Sequence, residues 1–110
     1  MADFIYLFRG APPQGSPEQM QQHMQKWRAW MDELGKKGHF KAGDPLDRTG
    51  KVVTGRQKVV TDGPYAEAKD LVGGYLMVAA ENLGEATELA KGCPIFEHNG
   101  TVEVRPVMKM

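Results

Sequence analysis

The residues of this chain that could carry chemistry are few: three histidines, one cysteine and a handful of acids next to turn-forming residues. His23 is the most informative of them. It falls one turn before Trp27 in a run with helical spacing, at the edge of an apolar stripe beside Trp30 and Leu34. An imidazole there, with an ordinary pKa of about 6.5, can act as a general acid or base. The same placement also suits a surface-edge histidine with no role. Asp62, in Asp62-Gly63-Pro64, is the natural acid partner. Its carboxylate can equally accept the backbone N–H groups that follow it and organise an Asx-type turn, and this structural role is the favoured one. Asp44, before Pro45, is a second acid with the same two readings. Tyr65, Glu67 and Lys69 come next and are placed to line a cleft mouth, with Tyr65 and Asp44 as substrate-binding candidates. Arg105 shares a strand face with Glu103. Its planar fork suits a substrate carboxylate, and an interface ion pair explains it as well.

Other chemistries find less support. Cys93 follows a helix end, where the dipole disfavours a thiolate, so it reads as a small buried hydrophobe. A lone cysteine also forms no internal disulfide. His39 and His98 lie far apart, and no set of His, Cys and acids has metal-ligand spacing. No phosphate-cradling glycine motif is present. No cofactor or metal is therefore expected. Lys and Arg total 14, as do Asp and Glu, and the basic residues are scattered. Such a chain has no field to draw it onto nucleic acid.

The elements that must position these residues follow from the pattern. With 110 residues the chain is expected to be one domain spanning 1–110. Residues 3–9 alternate as a strand, with Phe4, Tyr6 and Phe8 on one side and Ile5 and Leu7 on the other. Ser16-Pro17-Glu18-Gln19 starts a helix: a cap, a proline at the first position and a capping-box glutamine. Met20, Met24, Trp27, Met31 and Leu34 aim one stripe at the core, and Gly35 or Gly38 ends it. A second strand spans 39–46, broken at Gly43-Asp44-Pro45. Lys51 to Thr61 gives one or two short strands with Gly55 as a break, Asp62-Gly63-Pro64 turns, and 66–70 is irregular with one short helical turn. Leu71 to Ala80 is a strand. Asn82 caps a second helix, with Glu85 as box partner and Leu83, Ala86, Leu89 and Ala90 on one face. Thr101 to Val107 closes the order, with Val102 and Val104 opposite Glu103 and Arg105. This is the split βαβ order of an α+β, ferredoxin-like fold, βαββαβ with a hairpin insertion. The opening apolar run is too short for a secretory core or a membrane span, so a cytoplasmic protein is expected.

Two helices cover only one face of a four-stranded sheet, yet the first strand and the run 75–80 are apolar on both. Burying one Phe or Leu side chain is worth about 1.5–3 kcal/mol. Leaving Phe4, Phe8 and a similar set in water would forgo roughly 5–10 kcal/mol, comparable with a whole domain's stability. A second copy packed sheet against sheet is the expected cover. A ligand cleft on this face is the alternative, and the two are compatible.

Val60-Thr61-Asp62-Gly63-Pro64-Tyr65-Ala66-Glu67, Gly73-Gly74-Tyr75, Cys93-Pro94 and Val102-Glu103-Val104-Arg105-Pro106-Val107 resemble, in order, the YCII-related family, also called the DGPF family. Trp27-Arg28-Ala29-Trp30-Met31, Gly38 and Ala42-Gly43 fit as well. Tyr65 stands where the motif name expects Phe. The resemblance implies a ferredoxin-like fold whose dimers form an α/β barrel. It further implies either a small-molecule binder or lyase/isomerase-type enzyme using a His and an Asp, or a non-catalytic module associated with an extracytoplasmic-type sigma factor. His23 and Asp62 would be the acid–base pair and Arg105 the substrate anchor.

Overall fold

The computed structural model describes residues 1–10, 15–63 and 70–110. Strand β1 (Ala2–Arg9) leads into helix α1 (Pro17–Lys36). Then come β2 (Phe40–Pro45), β3 (Gly50–Thr54), β4 (Val59–Gly63) and β5 (Val72–Ala80). Helix α2 (Leu83–Ala90), a 3-10 helix (Pro94–His98) and β6 (Thr101–Pro106) complete the order. The main sheet runs β2-β5-β1-β6, all antiparallel, and β3-β4 forms a separate hairpin. The α+β ferredoxin-like order is therefore present, with the hairpin inserted between β2 and β5.

Local chemistry sets the element ends as expected. Ser16 Oγ accepts from Gln19 N–H while the Gln19 side chain accepts from Ser16 N–H, a complete capping box. At the other end His39 N–H reaches Leu34 O (2.8 Å) and Gly38 N–H reaches Gly35 O (3.1 Å), with Gly38 at φ +79°. That is a Schellman closure, which needs the left-handed residue glycine supplies. Asn82 caps α2 through Glu85 N–H, but Glu85 returns its carboxylate to Glu81 N–H rather than to the cap. Leu83, expected on the buried face of α2, is exposed.

The helices pack on one face of the sheet. That face carries Phe4, Tyr6 and Phe8 from β1 and Leu76, Val78 and Ala80 from β5, with Leu34, Ala86, Ala90 and Cys93 against them. The expectation that Phe4 and Phe8 lie on the uncovered face is thus corrected. Both β1 faces are apolar, and the aromatic one fits Trp27 and Trp30, which sit edge-on to Phe8. The face opposite the helices instead carries Ile5 and Leu7 beside Tyr75 and Met77, flanked by Glu103 and Arg105.

Two further expectations are revised. β2 is not broken at Gly43-Asp44-Pro45. It stays paired with β5 through Pro45, which an edge strand tolerates. Asp62-Gly63 extends β4 beyond Thr61, opposite Lys51 and Gly50, and the rest of the expected Asp62-Gly63-Pro64 turn falls outside the described residues. Pro64, Tyr65 and the irregular segment through Lys69 lie outside the described residues.

Gly43 brings β2 unusually close to β5. A Cβ there would lie 2.5 Å from Leu76 Cδ1 and 2.6 Å from Tyr75 O, and the latter is backbone that cannot step aside. Gly43→Ala is expected to lower stability by about 1–3 kcal/mol, read as a drop in thermal midpoint. An unchanged midpoint would show that β2 is not held in this register.

Candidate functional site

The Met stripe of α1 does not enter the core over its first half. Met20 and Met24 are 36% and 49% exposed. With Met31 and Trp27 they roof a cavity of about 410 Å³ whose floor includes Phe8 and Leu76, with Gly43 and Gly74 in its wall. His23, Ile95 and His98 also line it. The wall is predominantly apolar with convergent polar groups, which is the usual character of a small-molecule site.

His23 is the buried polar side chain of this wall, only 8% exposed. Its Nε2 accepts a hydrogen bond from Trp27 Nε1–H at 2.8 Å, one helical turn away. Its Nδ1 faces His98 Nε2 at 3.2 Å, with the two rings edge to face. Glu97 Oε2 stands 3.9 Å from His23 Nδ1, and Lys26 Nζ holds the other Glu97 oxygen at 2.8 Å. Burial pushes the His23 pKa down, the neighbouring His98 pushes it further, and Glu97 opposes them. Lys26 holds the Glu97 carboxyl below its ordinary range.

The other candidates are not gathered here. Asp62 stands on β4, paired with Lys51 across the hairpin, its side chain 89% exposed and outside the cavity wall. Arg105 is exposed on the open sheet face, 4.0 Å from Glu103, which also pairs with Arg9 at 3.1 Å. Asp44 does border the cavity, while its carboxylate accepts from Tyr75 OH at 3.3 Å. Tyr65 lies outside the described residues. Cys93 is buried, and burial pushes its thiol up to about 12, as suits a packing residue. His98 and Glu97 are the members that sequence spacing missed. They sit at the end of the 3-10 helix, His98 being 75 residues from His23, on a segment with no periodic signal.

His23, Glu97 and His98 bring ligand atoms within 4.8 Å of one another, so the fold assembles a possible metal trio that linear spacing did not show. One feature disfavours it. A metal-bound imidazole ordinarily donates its other ring N–H to an acceptor, whereas His23 receives a hydrogen bond there from Trp27.

The family model for the YCII-related domain matches residues 4–110. The chain belongs to the YCII-related family. No curated protein matches it. Among solved structures, this YCII-related chain resembles the 5-chloro-2-hydroxyhydroquinone dehydrochlorinase of Burkholderia phenoliruptrix AC1100, in complex with 2,5-dihydroxybenzoquinone. The TM-score is 0.55 at 18% identity, covering 98% of this chain and 95% of that one. At that identity the likeness is one of fold. Among the described residues no helix is long and apolar enough to cross a membrane.

Proposed function

We propose that this YCII-related protein is a small-molecule enzyme whose cavity holds a compact, largely apolar ring with an oxygen substituent, and that the His23–His98 pair stabilises the enolate or phenolate form of that ligand. Stabilising such an oxyanion is the step that lyase and isomerase chemistry on ring compounds shares. The observation that carries this reading is a histidine pair on the wall of a methionine- and tryptophan-roofed cavity. Thioether sulfurs adapt to aromatic faces, and about 410 Å³ suits a single substituted ring. The quinone in the related dehydrochlorinase supports the same class of ligand. Asp62, paired with Lys51, is assigned to the hairpin rather than to the chemistry, and Arg105 to the open face. A second copy of the chain, packed on that face, completes the proposed assembly.

Titration with 2,5-dihydroxybenzoquinone tests the reading. Wild type is expected to bind it and His23→Ala to bind at least tenfold more weakly, since a hydrogen-bonded position in the wall is lost. Asp62→Asn is expected to bind as wild type does. Loss of binding in Asp62→Asn but not in His23→Ala would return the chemistry to the hairpin. No binding by wild type, with a sigma factor recovered in a pull-down, would replace the enzyme by a non-catalytic regulatory module.

A further inference from the structure

Trp27 settles which way the hydrogens of the histidine pair point. An indole N–H only donates, so the 2.8 Å bond to His23 Nε2 requires a bare lone pair on that nitrogen. A neutral His23 then carries its hydrogen on Nδ1. That hydrogen faces His98 Nε2 at 3.2 Å, so His23 donates and His98 accepts. The opposite direction would leave His23 as an imidazolate. His98, neutral and with its Nε2 lone pair occupied, carries its own hydrogen on Nδ1.

We propose that Trp27 locks His23 as a neutral Nδ1–H donor, which makes His23 a positioning residue, and that His98 is the histidine that meets the ligand, donating Nδ1–H to its carbonyl, enolate or phenolate oxygen. The ligand half of this inference rests on the cavity reading above, while the donor order rests on Trp27. Burial divides the roles in the same way. His23 is 8% exposed and both its nitrogens are engaged. His98 is exposed and lines the cavity. A donor fixed in direction before the ligand arrives needs no reorganisation when negative charge develops on the ligand oxygen. A second proton on His98 would set two N–H groups against each other, so the 3.2 Å contact belongs to the neutral pair. Among the described residues the charged side chains acting on His23 are Glu97 and Lys26, and these hold each other at 2.8 Å. The same hydrogen occupies the space a metal would need, because a cation held by His23 Nδ1, Glu97 and His98 requires Nδ1 bare.

Long-range nitrogen-15 proton correlation spectra of the whole protein read the tautomers directly. His23 is expected as the Nδ1–H form alone. In Trp27→Phe, which keeps a ring against Phe8 where the two centroids now lie 4.9 Å apart, the Nε2–H form is expected to appear. His23 found as Nε2–H in wild type overturns the lock without recourse to any variant. One equivalent of Zn²⁺ is expected to leave both rings unchanged, and coordination shifts on both would also overturn it. With 2,5-dihydroxybenzoquinone present, the His98 Nδ1 signal is expected to move. His98→Ala should bind the quinone about tenfold more weakly, with most of the loss recovered in His98→Asn, whose amide restores a donor. Undiminished binding by His98→Ala removes His98 from the site and leaves the cavity reading standing. No binding by wild type sinks the cavity reading and the role of His98 together, while the His23 tautomer is still decided by its spectrum.

Discussion

Tyr6→Ala is expected to remove about 3–5 kcal/mol of folding stability, a large part of what a domain of this size has. Tyr6 is fully buried at the centre of β1. Its ring stacks on Trp30 at 6.1 Å and meets Phe8 edge-on at 6.3 Å. Its hydroxyl donates to Ala86 O at 2.5 Å, tying β1 to α2 across 80 residues of chain. Truncation loses the ring, opens a cavity between sheet and helices and cuts that tie. The thermal midpoint should fall by on the order of 15 °C. Tyr6→Phe separates the contributions, because it keeps the ring and loses only the hydrogen bond, at about 1–2 kcal/mol. A Tyr6→Ala midpoint within a few degrees of wild type would show that the sheet does not pack on α2 in this way.

The same hydroxyl has a pH signature. Burial, and secondarily Cys93, pushes the Tyr6 pKa from 10.0 to about 12. The neutral form is therefore favoured in the folded state. Its contribution is complete below pH 10.0 and is lost as pH rises to about 12. Cys93, raised from 9.0 to about 12, weakens the fold over an overlapping range. The difference between wild type and Tyr6→Phe isolates the tyrosine, and the Phe variant should lose less stability across that window in alkaline denaturation.

Much of the fold was legible because separate signals agreed. Alternation in β1, the Ser16 capping box, the Asn82 cap and the apolar run of β5 each place an element where the structure has one. What periodicity could not supply was the identity of the neighbour. With both faces of β1 apolar, nothing local says which one the helices take, and the bulk of Trp27 and Trp30 decides it in favour of the aromatic face. The spacing of Met20, Met24 and Met31 puts them on one side of α1 but cannot say that this side roofs a cavity. Of the candidate site, His23 was readable from its place on the helix. His98 was not, because a short 3-10 turn after Pro94 carries no repeat and the contact is wholly tertiary. Asp62 and His23 are linked by residue type and by the family resemblance, neither of which fixes a distance, and the hairpin carries Asp62 to Lys51 instead.

Leu7→Asp is expected to convert the proposed dimer into a monomer, raising the dissociation constant by on the order of a thousandfold or more. The molecule measures 46 × 44 × 19 Å, thin in the direction in which α1 and α2 pack on the main sheet. Among the described residues no helix covers the sheet's other face, and Ile5, Leu7, Tyr75 and Met77 form its centre. Covering such side chains fully is worth about 1.5–3 kcal/mol each. Two-fold pairing doubles every contact, because the same patch is used twice. The charged flank is largely satisfied within the chain. Glu103 sits between Arg9 at 3.1 Å and Arg105 at 4.0 Å, and Asp3 pairs with Lys41 at 2.9 Å. An aspartate at position 7 would instead put one unpartnered carboxylate per copy into the apolar centre, costing several kcal/mol for each. Leu7 is only half-buried in the single chain, so the variant should keep its circular dichroism and fold. Light scattering should give wild type twice the 12.2 kDa chain mass and Leu7→Asp the single mass. Arg105→Ala, at the flank and 67% exposed, should shift the equilibrium far less. A wild type that stays monomeric at micromolar concentration would remove the second copy as the cover for this face. Ile5, Leu7, Tyr75 and Met77 would then be the apolar floor of a ligand groove bordered by Arg105, the alternative already contained in the two-sided pattern of β1.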